Sequence, residues 1–224
     1  MRIATDTELI TFNNWTLRFK PSQNPSGAEE TKRLLLLIHG WTGDENSMWV
    51  FTKDLSPNYW MVAPRAPYPA QPGGYSWRPP QPETFGRPSF ETLKPAADGL
   101  ISFVDAYSSS VGVDAKQFDV VGFSQGAAMS NVLALLYPNR IRKAGILAGF
   151  VPSGLEEVIA KRPLAGKPFF VAHGTQDEMV PIDRARASIE LLEQAGAQVT
   201  YCEDEVGHKL SAGCLRALKE FLIY

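Results

Sequence analysis

Three short runs constrain this 224-residue chain most: "RLLLLIHG" (33–40), "QFDVVGF" (117–123) and "PFFVAHG" (168–174). None alternates apolar with polar residues, as a strand with one wet face would. Runs of this length and composition read as strands buried on both faces, which means a mainly parallel sheet with helices on each side. The segments between them agree. "FETLKPAADGLISFVDAYSSS", "QGAAMSNVLALLYP", "PIDRARASIELLEQAG" and "SAGCLRALKEFLIY" carry apolar residues at helical spacing, and "NYWMVAP", "RKAGILAGF" and "AQVTYCED" supply further strands. "ELITFNNWTLRFKP" adds two β-rich halves around Asn13 and Asn14, an antiparallel hairpin in front of the alternating units. Strand–helix alternation gives an α/β fold, and 224 residues suffice for one domain, residues 1–224, and not for two.

Bulk properties exclude several partners. A net charge of −2 offers no basic face for nucleic acid. The first twelve residues lack the apolar core of a signal peptide, and no apolar stretch approaches the ~18 residues of a membrane span. The only cysteines, Cys202 and Cys214, stand in no metal-binding or C-x-x-C pattern. Two such thiols read as reduced, structural side chains, and the protein as cytoplasmic.

One stretch carries chemistry on its face. In "DVVGFSQGAAMS", Ser124 lies between Gly122 and Gly126 on a strand-to-helix turn. That is the context of a nucleophile elbow, where the serine backbone is strained and flanking side chains would collide across the turn. Ala127 and Ala128 then let the helix lie close to the sheet. A linker is the plain alternative, but the strand before and the helix after favour a raised serine. Such a hydroxyl needs a base.

There are three histidines, in "LIHGWTGDE" (His39), "VAHGTQDEMVP" (His173) and "EVGHKLS" (His208). Functional loops of a parallel sheet gather at the carboxyl ends of its strands, so position leaves all three open. The order Ser, acid, His of α/β-hydrolases selects His208, because Glu156 and Glu157 are the only carboxylates between Ser124 and His173. Asp177 then follows a strand end and becomes the preferred acid, with Glu178, Asp183, Glu203, Asp204 and Glu205 as rivals. His39 and His173 read as structural, bonded to loops near strand ends.

Between residues 64 and 90 lie 8 of the 17 prolines, interleaved with Tyr68, Tyr75, Trp77, Phe85 and Phe90. Disordered segments are poor in aromatics, so this reads as an ordered excursion over one end of the sheet.

"HGWTGDE", "GGYSW", "GFSQGA", "HGTQDEMVP" and "GHKLS", in that order, resemble the phospholipase/carboxylesterase family, small serine α/β-hydrolases that include acyl-protein thioesterases. The likeness spans about residues 34–222 and implies an α/β-hydrolase fold without a large cap domain. It implies Ser124 as nucleophile, His208 as general base and acid, and Asp177 as the orienting carboxylate. The backbone N–H groups of Trp41 and Gln125 would form the oxyanion hole, the second at a helix start that favours an anion. No cofactor or metal is expected, the partner is a small-molecule ester, and a homodimer stays open. The chain departs from the family pattern at Trp41, where a smaller aliphatic residue is common. It departs again after Trp77, where Arg78 and two prolines replace a stretch that often holds an acid. Both changes fall where substrate should lie, and Trp41, Tyr75 and Trp77 are the expected substrate contacts. The expected activity is hydrolysis of short- to medium-chain carboxylic esters through an acyl-enzyme. Thioester or lysophospholipid hydrolysis is the near alternative, and an inactive hydrolase fold used for binding the distant one. A dienelactone-hydrolase-like enzyme would carry Cys at the elbow.

Overall fold

The computed structural model describes residues 6–23, 33–53, 55–80 and 88–223. Eight strands form one sheet in the order β1-β2-β4-β3-β7-β8-β9-β10. The hairpin at its edge is β1 (Glu8–Phe12) and β2 (Trp15–Lys20), with Phe12 paired to Trp15. Asn13 and Asn14 both have positive φ, 45° and 67°, the conformation a two-residue hairpin turn demands and asparagine tolerates. β2 runs antiparallel to β4 (Tyr59–Pro64). From β4 onward β3 (Arg33–Ile38), β7 (Phe118–Phe123), β8 (Ile141–Leu147), β9 (Pro168–Gly174) and β10 (Gln198–Asp204) are all parallel. This is an α/β-hydrolase-type fold, and no cap domain stands over the sheet among the described residues.

The unbroken apolar run of β3 feeds two cores. Leu34, Leu36 and Ile38 point to one face, where they meet α1 (Phe90–Val111), α2 (Gln125–Leu136), α3 (Glu156–Ala160) and α4 (Ile182–Gln194) through residues such as Leu100, Val132, Ile159 and Leu192. Leu35 and Leu37 point to the other, against Trp49 and the Cys214, Leu218 and Leu222 face of α5 (Ala212–Ile223). Side chains of a strand alternate between faces, so a strand with a core on each side has few positions to spare for polar residues. In α1 the apolar face runs Leu93, Ala96, Ala97, Leu100, Phe103, Val104, Tyr107, and the helix stops at Gly112 in the left-handed conformation. The five-residue α3 and the two-residue strands β5 (Tyr68–Pro69) and β6 (Tyr75–Ser76) are additions to the expected elements. They are too short to leave a periodicity.

The proline-rich excursion is ordered over its described residues, 64–80 and 88–90, and residues 81–87, Phe85 among them, lie outside the described residues. β5 and β6 pair as a small antiparallel ladder, and Tyr75 is stitched to the loop after β3. Thr42 N–H donates to the Tyr75 carbonyl (3.0 Å) and Tyr75 N–H to the Gly43 carbonyl (2.9 Å).

The cysteine reading is corrected. Cys202 of β10 and Cys214 of α5 form a disulfide, their Cα atoms 5.7 Å apart. The eleven residues between them leave the sheet, turn and come back as α5, and this return brings the two together. With the pairing goes the argument from reduced thiols to a reducing compartment. Closing a loop of this size stabilises a fold by about 2–3 kcal/mol. Titration of the unreduced protein in denaturant should therefore find no free thiol, and Cys214→Ser should lower the unfolding free energy by that amount. Two free thiols would contradict the pairing.

Candidate active site

Ser124 is held as the elbow requires. Its φ and ψ are 55° and −116°, a region a non-glycine residue occupies at a cost of about 1–3 kcal/mol. Its N–H donates to the Leu147 carbonyl of β8 (2.8 Å), and its own carbonyl accepts from Ala127 and Ala128 in the first turn of α2. The two glycines are there for lack of room. A Cβ on Gly122 would meet the Gly126 carbonyl oxygen at 2.1 Å, and one on Gly126 would meet the Ile38 carbonyl oxygen of β3 at 2.0 Å. So Gly122 answers to the turn itself, whereas Gly126 answers to the neighbouring strand. Ala127 has a similar reason, since Gly149 approaches so closely that a Cβ there would lie 2.2 Å from that of Ala127.

His208 lies in the loop between β10 and α5, inside the span closed by the disulfide. Its Nε2 is 2.9 Å from Ser124 Oγ, and its Nδ1 is 2.7 Å from Asp177 Oδ2. An ionised carboxylate only accepts, so Nδ1 carries the proton and Nε2 presents a lone pair to the serine hydroxyl. The Phe123 ring packs 5.0 Å from the imidazole. The His208 loop also rides close over the end of β9, where a Cβ on Gly174 would lie 2.1 Å from the Val206 carbonyl oxygen. Asp177 is buried and its second oxygen, Oδ1, accepts from Met179 and Val180 N–H, each at 2.9 Å. The carboxylate is therefore fixed by its own turn and presents Oδ2 to the His208 imidazole.

The other two histidines are committed elsewhere. His39 Nε2 accepts from Ala66 N–H (3.0 Å) and its Nδ1–H donates to the Gly40 carbonyl (2.7 Å). Burial holds its pKa below the ordinary histidine value, with the Gly40 carbonyl opposing. His173 Nε2 faces the Val180 carbonyl at 2.7 Å, so it must carry the proton, and its buried Nδ1 has no hydrogen-bond partner among the described residues. The same Nε2 lies 3.4 Å from Asp177 Oδ2, so His173 backs the carboxylate on its far side from solvent.

Ser124 opens onto a cleft of about 70 Å³ lined by Trp41, Arg78, Pro88, Gln125, Phe150, Met179 and Val180. Gln125 is the first residue of α2, where backbone N–H groups have no intrahelical acceptor. Trp41 is half-buried in the cleft wall and so faces the space beside Ser124. Two expected substrate contacts are corrected. Trp77 is 0% exposed, its Nε1–H bonded to the His39 carbonyl (2.8 Å) and its ring against the His39 imidazole. An indole whose N–H finds a carbonyl can be buried whole, and this one is core. Tyr75 is drawn away by Arg65, whose guanidinium lies 4.6 Å over its ring and donates to its hydroxyl (3.1 Å). Arg65 is in turn held by a two-pronged ion pair with Glu45 (2.7 and 2.9 Å). Burial would raise the Glu45 carboxyl's pKa, but Arg65 and a backbone N–H bring it below the usual glutamate value. This explains the acidic end of "HGWTGDE": it anchors the Trp41 loop to the excursion. Pro88, Phe150, Met179 and Val180 gave no signal in the sequence, because their loops are brought to the cleft by tertiary packing.

Residues 24–224 match the family model described as phospholipase/carboxylesterase, and the chain belongs to that family of ester hydrolases. Among curated relatives, a probable carboxylesterase SOBER1-like protein of Arabidopsis thaliana is 27% identical over 186 residues. That match takes in 79% of this chain and 66% of the relative, just under two thirds of its length. Acyl-protein thioesterase 1 of Kluyveromyces lactis is 28% identical over 176 residues, 70% of this chain and 75% of that protein. A solved carboxylesterase from Mesorhizobium loti superposes with a TM-score of 0.79 at 21% identity, covering 97% of this chain and 99% of the other, which speaks for the fold. No helix among the described residues is long and apolar enough to cross a membrane.

Proposed function

We propose that this protein is a serine carboxylesterase working through an acyl-enzyme, with Ser124 as nucleophile, His208 as general base and acid, and Asp177 as the carboxylate that orients and balances the imidazole. One observation carries the reading: the unbroken hydrogen-bond relay from Ser124 Oγ through His208 to Asp177, opening on the cleft. In this reading Ser124 Oγ attacks the ester carbonyl carbon while His208 Nε2 takes the hydroxyl proton. Asp177 keeps Nδ1–H in place and stabilises the imidazolium. Charge developing on the carbonyl oxygen is met by the N–H groups of Gln125 and Trp41, each such donor being worth about 3–4 kcal/mol. His208 returns the proton to the departing alkoxide, then activates the water that releases the acid.

The narrow cleft supports short acyl groups. At about 70 Å³ it is roughly half the ~150 Å³ of a cavity that accommodates benzene. Each added CH₂ that stays buried gains about 0.8 kcal/mol, so rates should climb with chain length only until the Trp41 wall is met. Trp41→Leu should move the optimum to longer chains, read from kcat/KM over a series of 4-nitrophenyl esters. An unchanged optimum would mean that the indole does not limit the cleft. The name of the Kluyveromyces lactis relative favours a second reading, thioester hydrolysis by the same residues. Matched acyl esters and thioesters on one purified sample decide between them. The Cys202–Cys214 disulfide weighs against the cytoplasmic site expected from the sequence, since such bonds are rare in reducing compartments, and fractionation decides it.

A further inference from the structure

We propose that Arg78 makes the cleft selective for esters that carry a second, anionic group, specifically a carboxylate a few atoms from the scissile carbonyl. The proposal rests on Ser124 being the nucleophile.

Among the described residues that line the cleft with Ser124, Arg78 is the charged one; Trp41, Pro88, Phe150, Met179 and Val180 are apolar, and Gln125 is neutral. Arg78 is 7% exposed and stands in that wall, not out in solvent. Its backbone is built directly onto the elbow. Trp77 N–H donates to Gln125 Oε1 (2.9 Å), so the residue after Ser124 grips the residue before Arg78. Gln125 Nε2 also donates to Ser76 Oγ (3.2 Å), and that hydroxyl donates to the Arg78 carbonyl (2.9 Å). The buried Trp77 locks the same strand from behind through the His39 carbonyl. Arg78 therefore starts from a point fixed relative to Ser124, as a specificity residue must.

The chemistry then selects the ligand. A guanidinium presents five N–H donors in a planar fork, enough to keep its protein contacts and still grip a ligand carboxylate. Burial beside apolar walls lowers its pKa, because solvent is withdrawn from the cation. The same withdrawal strengthens attraction to an anion entering the cleft. A neutral ester gains nothing from this attraction. The limited volume points to a short half-ester of a dicarboxylic acid over a long-chain lipid.

The test compares monoethyl succinate with ethyl levulinate, in which a methyl group replaces the carboxylate oxygen at nearly the same size. Hydrolysis is followed by pH-stat, and the readout is the ratio of the two kcat/KM values. A purely structural role for Arg78 would change both substrates alike and leave the ratio still. The wild-type ratio should favour the half-ester by about 10- to 100-fold, the span of hydrogen bonds to charged groups. Arg78→Gln should bring the ratio near one, and Arg78→Lys should retain part of the preference. A wild-type ratio of one or less overturns the proposal even if neither variant folds, as does a preference that survives Arg78→Gln. If the levulinate ester is cleaved and a fluorophosphonate labels Ser124, such a result removes the anion preference alone. If neither ester is cleaved and no label enters, the serine reading falls and this one with it.

Discussion

Ser124→Ala and His208→Ala are each expected to lower kcat for ester hydrolysis on the order of 10⁴-fold or more, and the double variant should be scarcely worse. The reason is the single relay. Ser124 Oγ has its base in His208 Nε2 at 2.9 Å, so removing either member disables the same proton transfer. Asp177→Asn should cost a comparable factor by offering Nδ1 the wrong partner, although its contacts with Met179 and Val180 N–H make folding a necessary control. His173→Ala is the discriminating variant. Its proton-bearing Nε2 faces a carbonyl and its Nδ1 has no hydrogen-bond partner among the described residues, so it has no route to the serine hydroxyl. Loss of activity in a folded His173→Ala with His208→Ala still active would reassign the base. Steady-state kinetics on a soluble ester, with circular dichroism as the folding check, give the answer.

The largest stability effect is expected at Gly126. Its added methyl would sit 2.0 Å from the Ile38 carbonyl oxygen and 2.6 Å from that of His39, both backbone atoms at the end of β3. Neither can move without shifting the central strand or α2, so Gly126→Ala should lose about 3 kcal/mol or more. Gly73→Ala is the control, because a Cβ there meets nothing within 4 Å. Urea unfolding should show a near-neutral Gly73→Ala beside a strongly weakened Gly126→Ala. A Gly126→Ala within about 1 kcal/mol of wild type would mean that the elbow is far less tightly packed than described.

What could be read in advance follows from where each signal resides. The strands announced themselves because two-faced burial leaves few polar positions along "RLLLLI" and "FDVVGF", where Arg33 is exposed and Asp119 is buried against Tyr59 and Arg142. The Asn13–Asn14 turn was visible for a similar reason: its left-handed backbone restricts the residue type locally. Ser124 was legible because a strained turn needs glycines around it. His208 and Asp177 stand 84 and 53 positions from Ser124, and composition alone left several acids open. Chain order and resemblance narrowed them. Trp77 misled because an aromatic in a proline-rich loop carries no mark of which way it faces. Only the His39 carbonyl, brought near by the fold, made its burial favourable. The disulfide was hidden likewise, since nothing in the spacing of Cys202 and Cys214 says that α5 doubles back onto β10. Arg78 was noticed as a departure, but its place in the cleft wall depends on Gln125 gripping the strand beside it.

The central claim is that Ser124 is an activated nucleophile, and covalent labelling reads it directly. A fluorophosphonate reacts only with a serine whose base and oxyanion donors are in place. Intact-mass analysis followed by peptide mapping should find one adduct per chain, on Ser124, absent from Ser124→Ala and nearly absent from His208→Ala. An adduct on another residue, or none on a folded protein that still hydrolyses esters, would contradict the account.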